Sequence, residues 1–131
     1  IEKESMFNTP PCFSIYTAML TMEWLKELGG VTEIEQRNKA KAELLYQEID
    51  SNPLFRGTAA IEDRSVMNPT FVLEDASLND SFLHASIDAG ISGIKGHRSV
   101  GGFRASMYNA LELESVQVLV DVMKEFERTR G

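Results

Sequence analysis

Apolar residues return at helical spacing from Phe13 to Leu28. Ile15, Met19, Met22 and Leu25 mark one side, and Tyr16, Leu20 and Trp24 mark another. A helix this broadly apolar is expected to be buried on more than one face. Pro10-Pro11 ends an extended or turn segment ahead of it, because a residue before proline avoids helical angles. Gly29-Gly30 stops it. Thr32-Glu33-Ile34-Glu35 then offers a capping box. The second helix it starts runs to about Asp50, with Val31, Ile34, Leu45 and Ile49 toward a core and its charges outward. Asn52-Pro53 closes that helix.

Beyond residue 51 the pattern alternates between strand-like and helix-like. Arg64 to Leu73 is β-like through Val66, Met67, Thr70, Phe71 and Val72, and Pro69 suggests an edge strand or a bulge. Phe55 to Ile61 is a candidate hairpin partner. Ser77-Leu78-Asn79-Asp80 starts a helix to about Ala89, stopped by Gly90. Ile91 to Lys95 reads as a short strand, and Phe103 to Tyr108 as another. A last helix spans roughly Glu112 to Arg128, with Val116, Leu119, Val120, Met123 and Phe126 at helical spacing. The order predicts an α+β layer: a small, mostly antiparallel sheet with helices on one face, preceded by two helices. The pattern alone says nothing about chemistry.

Composition narrows the field. A chain of 131 residues lies within the one-domain range and can bury a core. It opens at Ile1 rather than Met, as a trimmed piece would. A net charge of -7 and a pI near 4.8 argue against nucleic acid or an anionic membrane as partner. The single cysteine, Cys12, excludes an internal disulfide, suits the cytoplasm and reads as a small packed side chain. No apolar run resembles a signal peptide or a membrane span. His84 stands on a predicted helix without Cys or carboxylate neighbours at ligand spacing, so no metal is expected. Serine-hydrolase, P-loop and dinucleotide-binding fingerprints are missing.

One stretch breaks the acidic character. From Gly90 to Leu111 there is no Asp or Glu, and Lys95, His97, Arg98 and Arg104 form a basic island punctuated by Gly96, Gly101 and Gly102. A guanidinium fork matches carboxylate or phosphate with two parallel hydrogen bonds. Arg98 and Arg104, six residues apart across Gly-Gly, can grip two anionic groups of one small ligand. The lack of counter-charge favours an anion site over a merely solvated turn. Lys95 can help attract anions but has no assigned role.

Gly-His-Arg-Ser-Val-Gly-Gly-Phe-Arg-Ala-Ser-Met-Tyr-Asn-Ala, Gly96 to Ala110, closely resembles the C-terminal signature of phosphoserine aminotransferases. These are class-V pyridoxal-phosphate (PLP) enzymes of serine biosynthesis. Met-Phe-Asn-Thr-Pro-Pro (Met6 to Pro11), Glu23-Trp24-Leu25-Lys26 with Gly29-Gly30-Val31, Lys41 to Tyr46 and Glu125 to Arg128 fall in the order the resemblance requires. Cys12 and Phe103 depart from the Thr and Met expected in close relatives, and neither touches an assigned role.

The resemblance implies a particular division of the chain. Residues 1–50 would bridge to a large PLP-binding domain and a dimer interface, and residues 51–131 would form the small C-terminal domain. Arg104 would hold the substrate α-carboxylate. His97 and Arg98 would bind the substrate phosphate, reaching the other subunit's active site. Asn8 and Thr9 would donate to the PLP phosphate, again across a homodimer interface. The implied reaction exchanges O-phosphoserine and 2-oxoglutarate for 3-phosphohydroxypyruvate and glutamate; a role in pyridoxine biosynthesis stays open. Lys3, Lys26, Lys39, Lys41, Lys95 and Lys124 match no Schiff-base position. The catalytic lysine is therefore expected upstream of Ile1, and the chain alone is expected to be inactive. Two other readings remain: a related enzyme of the same fold with another acidic substrate, or a non-catalytic anion-binding domain.

Overall fold

The computed structural model describes Glu4 and residues 7–130; Lys3 and Met6, named above, lie outside the described residues. The chain forms two compact units, Ile1–Glu35 and Gln36–Gly131. In the first, helix α1 spans Cys12–Leu28. It starts directly behind the proline pair, with the Cys12 N–H on the Pro10 carbonyl oxygen at 2.8 Å. It ends at Gly29, whose left-handed φ of 117° turns its N–H back to the Leu25 and Lys26 carbonyl oxygens. That conformation favours glycine.

None of α1's residues is buried, contrary to the burial its apolar pattern predicts. Phe13 is 80% exposed and Met22 63%. Cys12, expected to be packed, is exposed and free.

Helix α2, Gly30–Ser51, follows with no intervening loop. The predicted capping box at Thr32 is displaced, because the chain re-enters helix immediately after Gly29 and leaves Thr32 inside the first turn. Ile34, Leu45 and Ile49 are buried as the spacing predicts, whereas Val31 is 71% exposed. The later half of α2 belongs to the second unit, where Ala42, Leu45 and Ile49 enter its core. The compact boundary thus falls near residue 35, ahead of the change in sequence pattern near 51.

The second unit holds the sheet. Strand β1 (Phe55–Gly57), β2 (Thr70–Leu73) and β3 (Phe103–Arg104) lie in the order β1-β2-β3, antiparallel throughout. The register sets Phe55 against Leu73 and Phe71 against Phe103 on one face, and Arg56 against Val72 and Thr70 against Arg104 on the other. The first face is the core. Phe82, from helix α3 (Asn79–Asp88), sits edge-on to Phe55, Phe71, Phe103 and Phe126, with centroids 5.0–6.2 Å apart. Edge-to-face geometry suits the aromatic quadrupole. Helix α4 (Leu113–Arg130) supplies Val116, Leu119, Val120, Met123 and Phe126 to the same core, all buried. The α+β class with helices on one face of an antiparallel sheet is therefore what the chain forms.

The strands are shorter than the pattern predicts. Of Arg64–Leu73 only the last four residues pair in the sheet. Residues 61–63 make a 3-10 turn, and the Ser65 hydroxyl accepts from the Met67 and Asn68 N–H groups, holding the next residues in a turn. Pro69 precedes β2, which is the central strand and not an edge. The Pro69 carbonyl oxygen accepts from the Ala105 N–H at 3.0 Å. No described helix is long and apolar enough to cross a membrane.

Candidate functional site

The basic island is the tip of a hairpin. Ile94 and Gly96 pair with residues across it: the Arg104 N–H donates to the Ile94 carbonyl oxygen at 2.8 Å, and the Gly96 N–H to that of Gly102 at 2.9 Å. Lys95 bridges to Phe103 between them. The predicted strand from Ile91 to Lys95 is reduced to this pairing. Residues 97–101 form the tip itself, closed by the Val100 and Gly101 N–H groups on the His97 carbonyl oxygen at 2.9 and 2.8 Å.

Two glycines make this tip sterically possible. A Cβ at Gly96 would collide with the Gly101 carbonyl oxygen and stand 2.7 Å from that of Gly102. Gly102 has φ +64°, and a Cβ there would lie 2.8 Å from the Phe71 carbonyl oxygen and from Val72 Cγ1. The tip therefore packs its base directly on the central strand, which only glycine allows.

His97, Arg98 and Ser99 are exposed on the tip. The His97 Nδ1 lies 2.7 Å from the Ser99 hydroxyl and 3.3 Å from the Ser99 N–H. The tautomer in which Nδ1 accepts from the Ser99 N–H leaves the ring proton on Nε2. Arg104 sits two residues past Gly102, opposite Thr70, on the sheet face that the helices leave uncovered. On that face the Thr58 and Thr70 hydroxyls are 2.5 Å apart, and Arg56 is paired with Glu74 at 2.9 Å. The structure thus brings His97, Arg98 and Arg104 onto one hairpin. Asn8 and Thr9 belong to the other compact unit, exposed in a bend ahead of α1.

Sequence reasoning missed a buried lysine on α2. Lys41, on α2, is 1% exposed, and its ammonium donates to the carbonyl oxygens of Tyr108 and Leu111 at 2.9 Å each and of Met107 at 3.4 Å. Burial pushes its pKa below the ordinary lysine value, with Glu112 pulling the other way. One turn earlier, Asn38 donates to the Asn109 side-chain oxygen at 2.8 Å. The signal was present: Asn38, Lys41, Glu48 and Asn52 fall at the helical spacing of the buried stripe that holds Leu45 and Ile49.

The family described as Aminotransferase class-V matches residues 1–119. The chain belongs to the class-V aminotransferase family. Its relatives include the phosphoserine aminotransferase of Flavobacterium psychrophilum, 63% identical over 127 residues, and that of Porphyromonas gingivalis, 59% identical over 129. Each alignment covers 97% of this chain and 36% of the relative. Among solved structures, phosphoserine aminotransferase from Bacillus circulans subsp. alkalophilus superposes with a TM-score of 0.94 at 44% identity, over 99% of this chain and 36% of that one. A PLP-bound phosphoserine aminotransferase from Trichomonas vaginalis gives 0.86 at 40% identity, over 94% of this chain and 36% of that one. The chain spans little more than a third of the length of the relatives it matches.

Proposed function

We propose that this chain is the substrate-gripping C-terminal part of a PLP-dependent phosphoserine aminotransferase, working in the cytosol in serine biosynthesis. The basic hairpin is the observation that carries the reading. Its exposed tip and its Arg104 strand offer two anion grips, and a phosphoamino acid has two anionic ends. His97 and Arg98 hold the substrate phosphate in the other subunit's active site, and Arg104 holds the α-carboxylate with both prongs of its fork. Residues 1–50 bridge to the PLP-binding domain and the dimer interface, and residues 51–131 form the small domain. Two copies pair, which gives the exposed apolar circumference of α1 a surface to cover it.

The residues present suit the cofactor's phosphate. Asn8 and Thr9 present an amide and a hydroxyl just ahead of α1, whose first turn carries no acidic residue and no side-chain cap. Uncapped N–H groups and the positive end of the helix favour an anion there. When bound, PLP supplies the electron sink for the carbon chemistry of amino transfer. This chain's share is to orient the substrate and neutralise its ends. Lys41, the buried lysine, is committed to three carbonyl oxygens and is not available as a nucleophile. No lysine of this chain matches the Schiff-base position, and the chain by itself is expected to be inactive.

The test uses the full-length protein that carries this chain, loaded with PLP. Amino transfer from O-phosphoserine to 2-oxoglutarate should exceed that from serine by at least a hundredfold in kcat/KM. Equal use of serine, or preference for a donor without phosphate, would overturn the reading in favour of a related enzyme with another acidic substrate.

A further inference from the structure

The strand that carries Arg104 is weakly built for the task. As β3 it contributes two residues, at the edge of the sheet. Its near end is fixed by the Arg104 N–H on the Ile94 carbonyl oxygen. Beyond Arg104, the Ala105 N–H reaches the Pro69 carbonyl oxygen at 3.0 Å and the Met107 N–H that of Met67 at 2.8 Å. The partner stretch there is the turn around Ser65 and Pro69, not a regular strand. The chain then reverses, with the Leu111 N–H on the Tyr108 carbonyl oxygen at 2.9 Å. Short edge segments of this kind fray unless something outside the sheet holds them.

We propose that Lys41 is a positioning residue for Arg104: with Asn38 it clasps residues 107–111 and so fixes the segment from which the Arg104 fork projects. This rests on the reading of Arg104 as the carboxylate anchor. An ammonium has three N–H donors in a tripod, and here three carbonyl oxygens of one turn converge on it. Asn38, three residues earlier on the same face of α2, holds Asn109 within that turn. Asn109 lies between the Lys41-bound carbonyls of Tyr108 and Leu111, so the turn is held at several points along its length. An apolar residue at 41 would leave the carbonyl oxygens without their donor while relieving the desolvation of a buried charge. Those two effects oppose each other, so the expected damage is to order in the turn more than to the stability of the whole.

The experiment is made on the full-length, PLP-loaded enzyme. Lys41→Met should raise KM for phosphoserine and glutamate alike by about tenfold while kcat changes less than about threefold, the mark of lost ground-state anchoring. Amide exchange at Ala105, Met107 and Leu111 should quicken by about tenfold, with Phe71 and Phe82 unaffected. Asn109→Ala, at an exposed position, should move the same KM values by about threefold. It decides the matter if Lys41→Met does not fold. Unchanged KM in a folded Lys41→Met variant, or in Asn109→Ala, would overturn the proposal. So would exchange quickened uniformly across the domain, which marks a purely structural role. Arg104→Lys is measured beside them. If it too spares KM, the fault lies in the assignment of Arg104; if it alone raises KM, the fault lies in the role given to Lys41.

Discussion

Arg64 grips both carboxylate oxygens of Asp50, at 2.6 and 2.7 Å, tying the loop ahead of β2 to the last turns of α2. Its guanidinium also lies over the Tyr46 ring, 4.5 Å from the centroid, and the Tyr46 hydroxyl donates to the Ser65 carbonyl oxygen at 3.0 Å. These contacts hold the non-regular stretch between the two paired strands β1 and β2.

An acid-sensitive pair follows from that contact. The hydrogen bonds from Arg64 hold the Asp50 carboxyl below its ordinary value of 3.8. A carboxyl whose folded value is depressed releases its proton more readily when folded, so its contribution is present above the unfolded value and lost as pH falls through the folded one. Asp50 is 48% exposed, so solvent screening limits the pair to about 0.2–1 kcal/mol. Thermal melts of this chain between pH 2 and 6 should therefore lose stability below about pH 4. Asp50→Asn should flatten that acid limb and leave the slope between pH 5 and 6 unchanged. An equally steep acid limb in the variant would show that other carboxylates dominate.

Phe82 should be the most costly single truncation in the second unit. It is fully buried and touches four other phenylalanines drawn from all three strands of the sheet and from α4. Phe82→Ala should destabilise by about 3–5 kcal/mol, whereas Phe82→Leu, which fills much of the cavity, should cost roughly half as much. Denaturant titration of both variants checks it. A loss below about 1 kcal/mol for the alanine would mean that the core collapses around the gap.

The contrast between helix and strand shows what was legible in the sequence. Helix ends are set by local chemistry, and Pro10-Pro11, Gly29 and Asn52-Pro53 marked α1 and α2 to within about two residues. The α4 stripe from Val116 to Phe126 was readable in full because every member is apolar. Strands are set by distant partners. Val66 and Met67 look like strand residues, but the Ser65 hydroxyl accepts from the Met67 and Asn68 N–H groups and holds them in a turn that no periodicity records. The glycine and arginine spacing revealed the hairpin tip, since close backbone approach at Gly96 and Gly102 leaves its mark in residue type. The clasp behind it was hidden because a lysine inside a charged helix reads as solvated, and only the fold shows three carbonyl oxygens waiting for Lys41.

The exposed circumference of α1 predicts association. Phe13, Ile15, Tyr16, Met19 and Met22 are all more than two-fifths exposed along one helix. Light scattering on this chain should show a mass that rises with concentration, because contiguous apolar surface of this kind seeks a partner. Met19→Glu together with Met22→Glu should shift that association by at least tenfold in concentration while leaving the second unit's melt within about 0.5 kcal/mol. A monomer at all concentrations that also ignores the PLP-binding domain in a mixing experiment would contradict the interface assigned to residues 1–50.

The last prediction separates the two grips of the hairpin. His97 and Arg98 stand on the exposed tip, and Arg104 on the uncovered sheet face. A charge-assisted hydrogen bond to a desolvated anion contributes about 1.5–3 kcal/mol. Removing Arg98 should then lower kcat/KM for phosphoserine by about ten- to a hundredfold. Glutamate has no phosphate, so Arg98→Ala should affect its half-reaction much less. Arg104→Lys should harm both half-reactions, because a point-charge ammonium cannot replace a two-pronged fork. Stopped-flow measurement of each half-reaction in the two full-length variants is decisive. If Arg98→Ala damages both equally, the tip does not discriminate for phosphate; if Arg104→Lys spares both, the carboxylate anchor lies elsewhere.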